Sequence, residues 1–298
     1  VSVRPFSELA EGLFVLNVPM FPLYVLRGGG GEGAVMIDCA VLSKAGEIRE
    51  KLASLLGRER LAMTLLTHSH YDHVGACPLL QETHDFAVVA SQRTKDVLDS
   101  DKAVAFIDDL NQKFKALEGD CSDSRFTRPR SVRAVAEGDR IALPDGRHLE
   151  VYETPGHTRC SLAFLLRPGN ALFAGDAAGV VERSGRIKPL FLSSYSLYEA
   201  SLQKLLGLDA ELLALAHNAV VQGRGRVRAF LGDSLAETRR LKERIIAWLG
   251  ESRDFARIAE RILMEEYDAP TLLGPREALL INVTAMVKSV FHEFVKVP

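Results

Sequence analysis

The chain has 298 residues, of which 47% are hydrophobic and 26% charged, the make-up of a protein that folds throughout and not of a disordered one. Lys and Arg (37) nearly balance Asp and Glu (39), so no broad basic field exists to hold a phosphate backbone and nucleic acid is not expected as a partner. The opening VSVRPFSELAEGLFV lacks a charged leader, and no uninterrupted apolar run is long enough to span a bilayer, so the expectation is a cytoplasmic protein with no membrane partner.

In chain order, LFVLNV, FPLYVLR and AVMID read as strands of a meander, with the glycine-rich stretch 28–33 as a hairpin tip. That stretch lacks the Lys-Ser/Thr of a phosphate-binding loop. Ile48, Leu52, Leu55 and Leu56 predict a helix over 43–56 with Ser43 as its N-cap, and the strand LAMTLLT follows, ending at Thr67. After VGACPLLQE and the strand FAVVA, Val104, Ile107, Leu110 and Phe114 share one face of a longer helix, read as a helical insertion over about 91–130. Strands return from Val132: HLEVYET, then SLAFLLR, a turn at Pro168–Asn170, and ALFAGD, which delivers the chain to Asp176. A helix around Tyr198–Leu206 and a buried strand ELLALAH come next. Val227, Phe230, Leu241, Ile245 and Trp248 then recur at helical spacing, and further helices are expected over about 255–267 and 278–295. The organisation predicted is a first domain over 1–225 and a helical extension over 226–298. The apolar face between Val227 and Leu249 fits a cap over a site, a homodimer interface or ordinary packing. Cys39, Cys77, Cys121 and Cys160 are too far apart for a Cys-x-x-Cys motif and are read as reduced, mostly buried thiols.

The stretch THSHYDHVG places His68, His70, Asp72 and His73 within six residues at the end of an apolar strand. Side chains two apart in extended chain point the same way, so His68 and His70 can share one metal ion while Asp72 and His73 face another. As plain packing the cluster would leave buried imidazoles without partners. His84, His148 and His292 have no such neighbours and are set aside. Asp38 and Thr67 stand where they could fix imidazole tautomers or simply end strands.

THSHYDHVG resembles the signature of the metallo-β-lactamase superfamily, and TPGHT at Thr154–Thr158, FAGD at Phe173–Asp176 and ALAH ending at His217 follow in that family's order. The resemblance implies an α/β fold, a four-layer αββα sandwich. It implies that His68, His70 and His157 hold one ion, that Asp72, His73 and His217 hold a second, and that Asp176 bridges them. His217 departs from the family's usual Pro-Gly-His, reading Leu-Ala-His-Asn. The bridging aspartate separates the chain from zinc β-lactamases, which disfavours antibiotic hydrolysis. The core is similar to hydroxyacylglutathione hydrolases and lactonases. The SQRT segment, the insertion, KPLF and the helical tail are similar to thioesterases of the quinolone-signal-response type, in which the tail covers the active site.

The activity this resemblance implies is hydrolysis of an ester or thioester in a small acyl compound by two divalent ions. Zinc, iron and manganese all suit oxygen and imidazole ligands. Ions about 3.5–4 Å apart would share a bridging water, lowering its pKa to near 7 to give a hydroxide that the catalytic Asp72 orients. Phe191, Leu192 and Tyr195 are candidate substrate contacts, although their character fits a core as well. Other readings are a small-molecule phosphodiesterase or lactonase, an iron-dependent persulfide oxygenase, and a metal-bearing signalling or binding module.

Overall fold

The computed structural model describes residues 4–28, 33–143, 145–182, 184–267 and 275–295. Most of the predicted glycine-rich hairpin tip therefore lies outside the described residues. Among the described residues, a first sheet takes its strands in chain order: β1 (Phe6–Ala10), β2 (Leu13–Leu16), β3 (Leu23–Leu26), β4 (Ala34–Ile37), β5 (Leu61–Leu65), β6 (Ala87–Ser91) and β7 (Val132–Val135). It begins as an antiparallel meander and becomes parallel from β4 onward. Parallel strands need crossovers. These are α1 (Ala45–Leu56), then α2 (Tyr71–Val74) with α3 (Cys77–Gln81), then α4 (Gln92–Asp99) with α5 (Asp101–Glu118).

A second sheet holds β8 (Arg140–Ala142), β9 (His148–Glu153), β10 (Leu162–Arg167), β11 (Ala171–Gly175), β14 (Leu212–Leu215) and β15 (Val220–Gln222). A two-stranded ribbon, β12 (Val180–Val181) with β13 (Ile187–Lys188), follows β11. Helices α6 (Tyr195–Leu206), α7 (Arg224–Glu251), α8 (Phe255–Glu265) and α9 (Arg276–Val290) cover its outer face.

The layering follows from side-chain alternation. On β3, Leu23 and Val25 enter a core shared with Ile48, Leu52, Ile107 and Phe114 of α1 and α5. Tyr24 and Leu26 enter a central core with Val151, Phe164 and Phe173 of the second sheet. On β10, Leu162 and Phe164 face that central core, whereas Ala163 and Leu165 face Tyr198, Leu202, Ile245 and Trp248 of the outer helices. Strands covered on both faces must be apolar on both, which is why LYVL, AVMI and ALFAG are continuous runs. Helix, sheet, sheet and helix thus stack as four layers with a C-terminal helical region. The apolar face of α7 is covered within the chain, by residues of α6, α8 and α9.

Two boundaries differ from expectation. Ser43 does not cap α1. It lies in a 3-10 turn, Leu42–Lys44, whose Leu42 N–H donates to Asn111 Oδ1 at 2.8 Å, and its hydroxyl donates to Glu118 Oε2. The helix predicted from Tyr198 begins at Tyr195 because the Ser194 hydroxyl accepts from Leu197 N–H at 3.3 Å, an N-cap three residues earlier. Among the described residues, Arg276–Val295 is the segment long and apolar enough to cross a bilayer, yet Val283, Met286, Val287 and Val290 are fully buried in the outer-helix core. Cys39, Cys77 and Cys160 are buried free thiols, and Cys121 is exposed.

Candidate metal centre

Four turns at the rim where the two sheets meet bring the seven predicted ligands together. His68 and His70 follow β5 in extended backbone, with His70 at φ −69° and ψ 150°, so their side chains share a side. Asp72 and His73 then fall in the first turn of α2, anchored by the His73 N–H donating to the His70 carbonyl at 2.9 Å. His157 lies between β9 and β10, Asp176 opens a 3-10 turn after β11, and His217 follows β14. Two glycines permit this convergence. A Cβ on Gly156 (φ 132°) would stand 2.2 Å from Tyr198 N, and one on Gly175 (φ 52°) would stand 2.8 Å from Thr67 Cβ.

His157 Nε2 is 3.2 Å from His68 Nε2 and 3.0 Å from His70 Nδ1. In a second group, Asp72 Oδ2 is 3.6 Å from His217 Nε2 and 4.0 Å from His73 Nε2. Asp176 stands between the groups. Its Oδ2 is 3.3 Å from His157 Nε2, and its Oδ1 is 3.4 Å from His217 Nε2 and 3.7 Å from His73 Nε2. All of these side chains are buried except Asp72 and His70, which are partly so.

Behind the imidazoles lies a layer of acceptors. His157 Nδ1 donates to the Leu190 carbonyl at 2.8 Å and His217 Nδ1 to the Met20 carbonyl at 3.2 Å. Asp38 accepts from Thr67 N–H at 2.7 Å, from the Thr67 hydroxyl at 2.8 Å and from His73 Nδ1 at 2.9 Å. The Thr67 oxygen lies 3.1 Å from His68 Nδ1. Asp38 and Thr67 thus both end their strands and orient ligands. Tautomers are assigned from these partners, and each Nδ1–H so fixed leaves a lone pair on Nε2 facing the centre.

These residues fit a metal ion on evidence internal to the structure. With Nδ1–H spent elsewhere, His68 Nε2 and His157 Nε2 meet lone pair to lone pair at 3.2 Å, an arrangement a shared cation resolves. Nitrogen ligands of a tetrahedral ion at 2.0–2.1 Å stand about 3.3 Å apart. His73 Nε2 and Asp176 Oδ1 are buried with no hydrogen-bond partner among the described residues, a cost of about 1–3 kcal/mol each unless a ligand answers them. The donor atoms of His68, His70 and His157, of His68, His73 and Asp176, and of Asp72, His73 and His217 lie within 4.8 Å of one another in each group.

The electrostatics divide the two groups. Burial and neighbouring imidazoles push His68 and His70 well below the ordinary histidine range, and burial lowers His157 more than Asp176 raises it. All three therefore stay neutral and offer lone pairs. Burial also works to lower His73 and His217, but nearby carboxylates outweigh it: Asp38, Asp176 and Asp72 raise His73 well above the usual range, and Asp176 and Asp72 raise His217. Burial would raise Asp176, yet His217, His73 and His157 hold it well below the usual carboxylate range.

A cavity of about 150 Å³ opens over Asp72, Asp176 and His217, walled by Phe106 and Leu110 of α5, Leu190, and Leu279 and Ile281 of α9. Phe191, Leu192 and Tyr195 do not line it. Phe191 and Tyr195 are fully buried against Tyr198 and Leu202, and Leu192 is partly buried beside the same core. The walls from α5 and α9 lie on the insertion and the C-terminal tail to which the resemblance pointed, but the residues themselves carried no signal of a site beyond their apolar periodicity. The Leu190 and Met20 carbonyls carried none at all, since every residue has one.

The family profile described as Metallo-beta-lactamase superfamily matches residues 23–217. The acyl-coenzyme A thioesterase MBLAC2 of Gallus gallus is 31% identical over 150 residues, covering 50% of this chain and 52% of its own. A hydroxyacylglutathione hydrolase of Synechococcus sp. (strain CC9902) is 29% identical over 203 residues, covering 63% of this chain and 62% of its own. The chain thus spans about half to three fifths of these two relatives. The crystal structure of metallo-beta-lactamase family protein TTHA1429 from Thermus thermophilus superposes with a TM-score of 0.72 at 20% identity, over 96% of this chain and 95% of that one, a likeness of fold.

Proposed function

Because this chain belongs to the metallo-β-lactamase superfamily, we propose that it is a hydrolase with two divalent metal ions that cleaves an ester or thioester bond of a small acyl compound. The observation that carries the reading is Asp176, whose two oxygens face different histidine groups while Oδ1 has no hydrogen-bond partner among the described residues. His68, His70 and His157 would hold one ion, Asp72, His73 and His217 the other, and Asp176 both. Bound there, divalent cations supply Lewis acidity, polarising an acyl carbonyl and acidifying water to near neutral pH.

The chain's own residues do the rest. Asp72 lines the cavity and keeps 14% of its side chain exposed, so its carboxylate is placed to accept a hydrogen bond from an attacking water and orient it. Asp38 and the Leu190 and Met20 carbonyls hold three imidazoles in one tautomer. Phe106, Leu110 and Leu279 line the cavity and give an acyl chain apolar contacts. A thiol of pKa about 8.5 leaves as its thiolate without a proton donor, which favours thioesters over amides. The relatives named as a thioesterase and a hydroxyacylglutathione hydrolase support the same bond class.

The test is elemental analysis of protein purified without added metal, followed by assay of that sample on thioesters, lactones and phosphodiesters. About two ions per chain and thioester turnover abolished by chelation are expected. Metal-loaded protein inert towards every thioester and ester would overturn the reading.

A further inference from the structure

Tyr71 stands between two candidate ligands, His70 and Asp72. It is 7% exposed and lines the cavity. Its ring packs against Phe114 of α5 at 6.4 Å between centroids, in one apolar cluster with Leu110 and Ala278. The hydroxyls of Tyr24 and Tyr198, also buried, donate to the carbonyls of Leu215 at 2.7 Å and Asp176 at 3.3 Å. That of Tyr71 has no hydrogen-bond partner among the described residues, and unlike the orphaned Tyr195 hydroxyl it is not sealed inside the core. The open space that Tyr71 borders is the cavity.

Asn282 of α9 lines the same cavity, and its side-chain amide also has no hydrogen-bond partner among the described residues. It sits one helical turn beyond Ala278, the α9 residue that packs in the cluster with Tyr71. Lys188, also in the wall, has its ammonium against the Tyr267 ring and Glu182, both outside the cavity. Outside the ligand set, hydrogen-bonding capacity for the cavity therefore rests with Tyr71 and Asn282. Both are neutral, and each offers a donor and an acceptor. A secondary amide complements them, with an N–H to give and a C=O to accept. A site made for that N–H rejects an analogue lacking it, because the site's own acceptor is then left unpaired.

We propose that Tyr71 and Asn282 bind a secondary amide of the substrate, close enough to the thioester for one cavity to hold both. This rests on the hydrolase reading above and names its substrate class. The amide can stand on the thiol side, as in a thioester of N-acetylcysteamine, or on the acyl side, as in an N-acetylglycyl thioester. The chemistry that recognises it is the same. In the hydrolysis a C–O bond forms from water to the acyl carbon, the C–S bond breaks, the thiolate takes up a proton from solvent, and the amide is untouched. Tyr71 and Asn282 are specificity-determining residues that hold the amide and take no part in the bond changes.

The experiment uses two pairs of thioesters that differ by an N–H against a CH2. The first pair is the butyryl thioesters of N-acetylcysteamine and of 5-mercaptopentan-2-one. The second is the N-acetylglycyl and 4-oxopentanoyl thioesters of propanethiol. Turnover is measured on metal-loaded wild type, Tyr71→Phe and Asn282→Leu, and calorimetry measures binding of the thioether analogues in which CH2 replaces the scissile carbonyl. Wild type is expected to bind the amide member of at least one pair about tenfold more tightly and to show the same preference in KM. The pair that shows it tells which side carries the amide. Each substitution should erode the preference, with a larger loss on the amide than on the ketone. A wild type that binds amide and ketone alike in both pairs overturns the proposal, whether or not the variants fold. So does a preference that survives both substitutions. Amide-selective binding without turnover of any thioester would sink the hydrolase reading and leave the amide site standing.

Discussion

Asp38→Asn separates ligand orientation from strand termination more cleanly than any other single change. Asp38 sits at φ 59°, a left-handed conformation that asparagine tolerates, so the backbone is not strained by the replacement. The new side chain keeps an oxygen for Thr67 N–H, and the Thr67 hydroxyl can turn to accept from the new amide. His73 Nδ1, 2.9 Å away, instead meets a second donor. One hydrogen bond to a charged acceptor is lost, about 1.5–3 kcal/mol. His73 can relieve the clash only by moving its proton to Nε2, the atom that faces Asp176 Oδ1 at 3.7 Å. That proton occupies the lone pair a metal needs. The expected outcome is a fall of about 10–100-fold in metal affinity, measured by competition with a chromophoric chelator, together with a loss of no more than about 3 kcal/mol in urea unfolding of the chelated protein. Metal affinity within about threefold of wild type alongside the full stability loss would show that Asp38 only ends its strand, and the tautomer argument would fail.

Two further outcomes follow from other parts of the fold. Glu293 accepts from Tyr195 N–H, Ser196 N–H and the Ser194 hydroxyl at the start of α6. Burial would raise its carboxyl, but hydrogen bonds from Ser196, Ser194 and Ser289 outweigh it and hold the group below the ordinary glutamate range. A depressed carboxyl contributes stability that is present above its unfolded value and is lost as pH falls through its folded one. Glu293→Gln should therefore be less stable than wild type near neutral pH and converge with it in acid, as read by thermal melts across that range. A constant offset at all pH values would rule this out. Gly156→Ala forces a Cβ to within 2.2 Å of Tyr198 N at φ 132°. It should cost about 3 kcal/mol or more and lower the metal content, because the displaced turn carries His157. Unchanged metal content in a folded Gly156→Ala protein would contradict the role given to that turn.

How much of this was legible in the sequence depends on how local each feature is. His68, His70, Asp72 and His73 were readable because strand alternation and one short helix, both local, aim them at the centre. His157, Asp176 and His217 were placed through the order of their motifs, since nothing within each segment says that the other turns will meet it. Ser43 looked like an N-cap locally, but Asn111, on a helix far along the chain, binds the Leu42 N–H and draws the segment into a 3-10 turn. Phe191 and Tyr195 follow Asp176 closely and are aromatic, and that description fits a pocket wall and a core alike. What decides between them is the contact of Tyr195 N–H with Ser289 and Glu293 of the C-terminal helix, which seats the start of α6 against the outer core.

The same C-terminal helix shows why a covering tail was expected from the resemblance while the residues of the cavity wall could not be read. Ala278, Leu279, Ile281 and Asn282 form part of its wall, while Ser289 and Glu293, two to three turns further on, fasten the helix to α6. Ser289 shares α9 with the wall residues and Glu293 lies in the helical turn Phe291–Val295 that follows it, so the depth of the cavity depends on a clamp at and just beyond the end of α9. That clamp pairs residues about 94–98 positions apart, a separation at which periodicity says which face is apolar but not what it will touch. The ligands are fixed by the turns of the sheets and the wall by the helices. On the hydrolase reading proposed above, Glu293→Gln should accordingly change the relative KM of thioesters of different acyl length while leaving the metal content by elemental analysis unchanged.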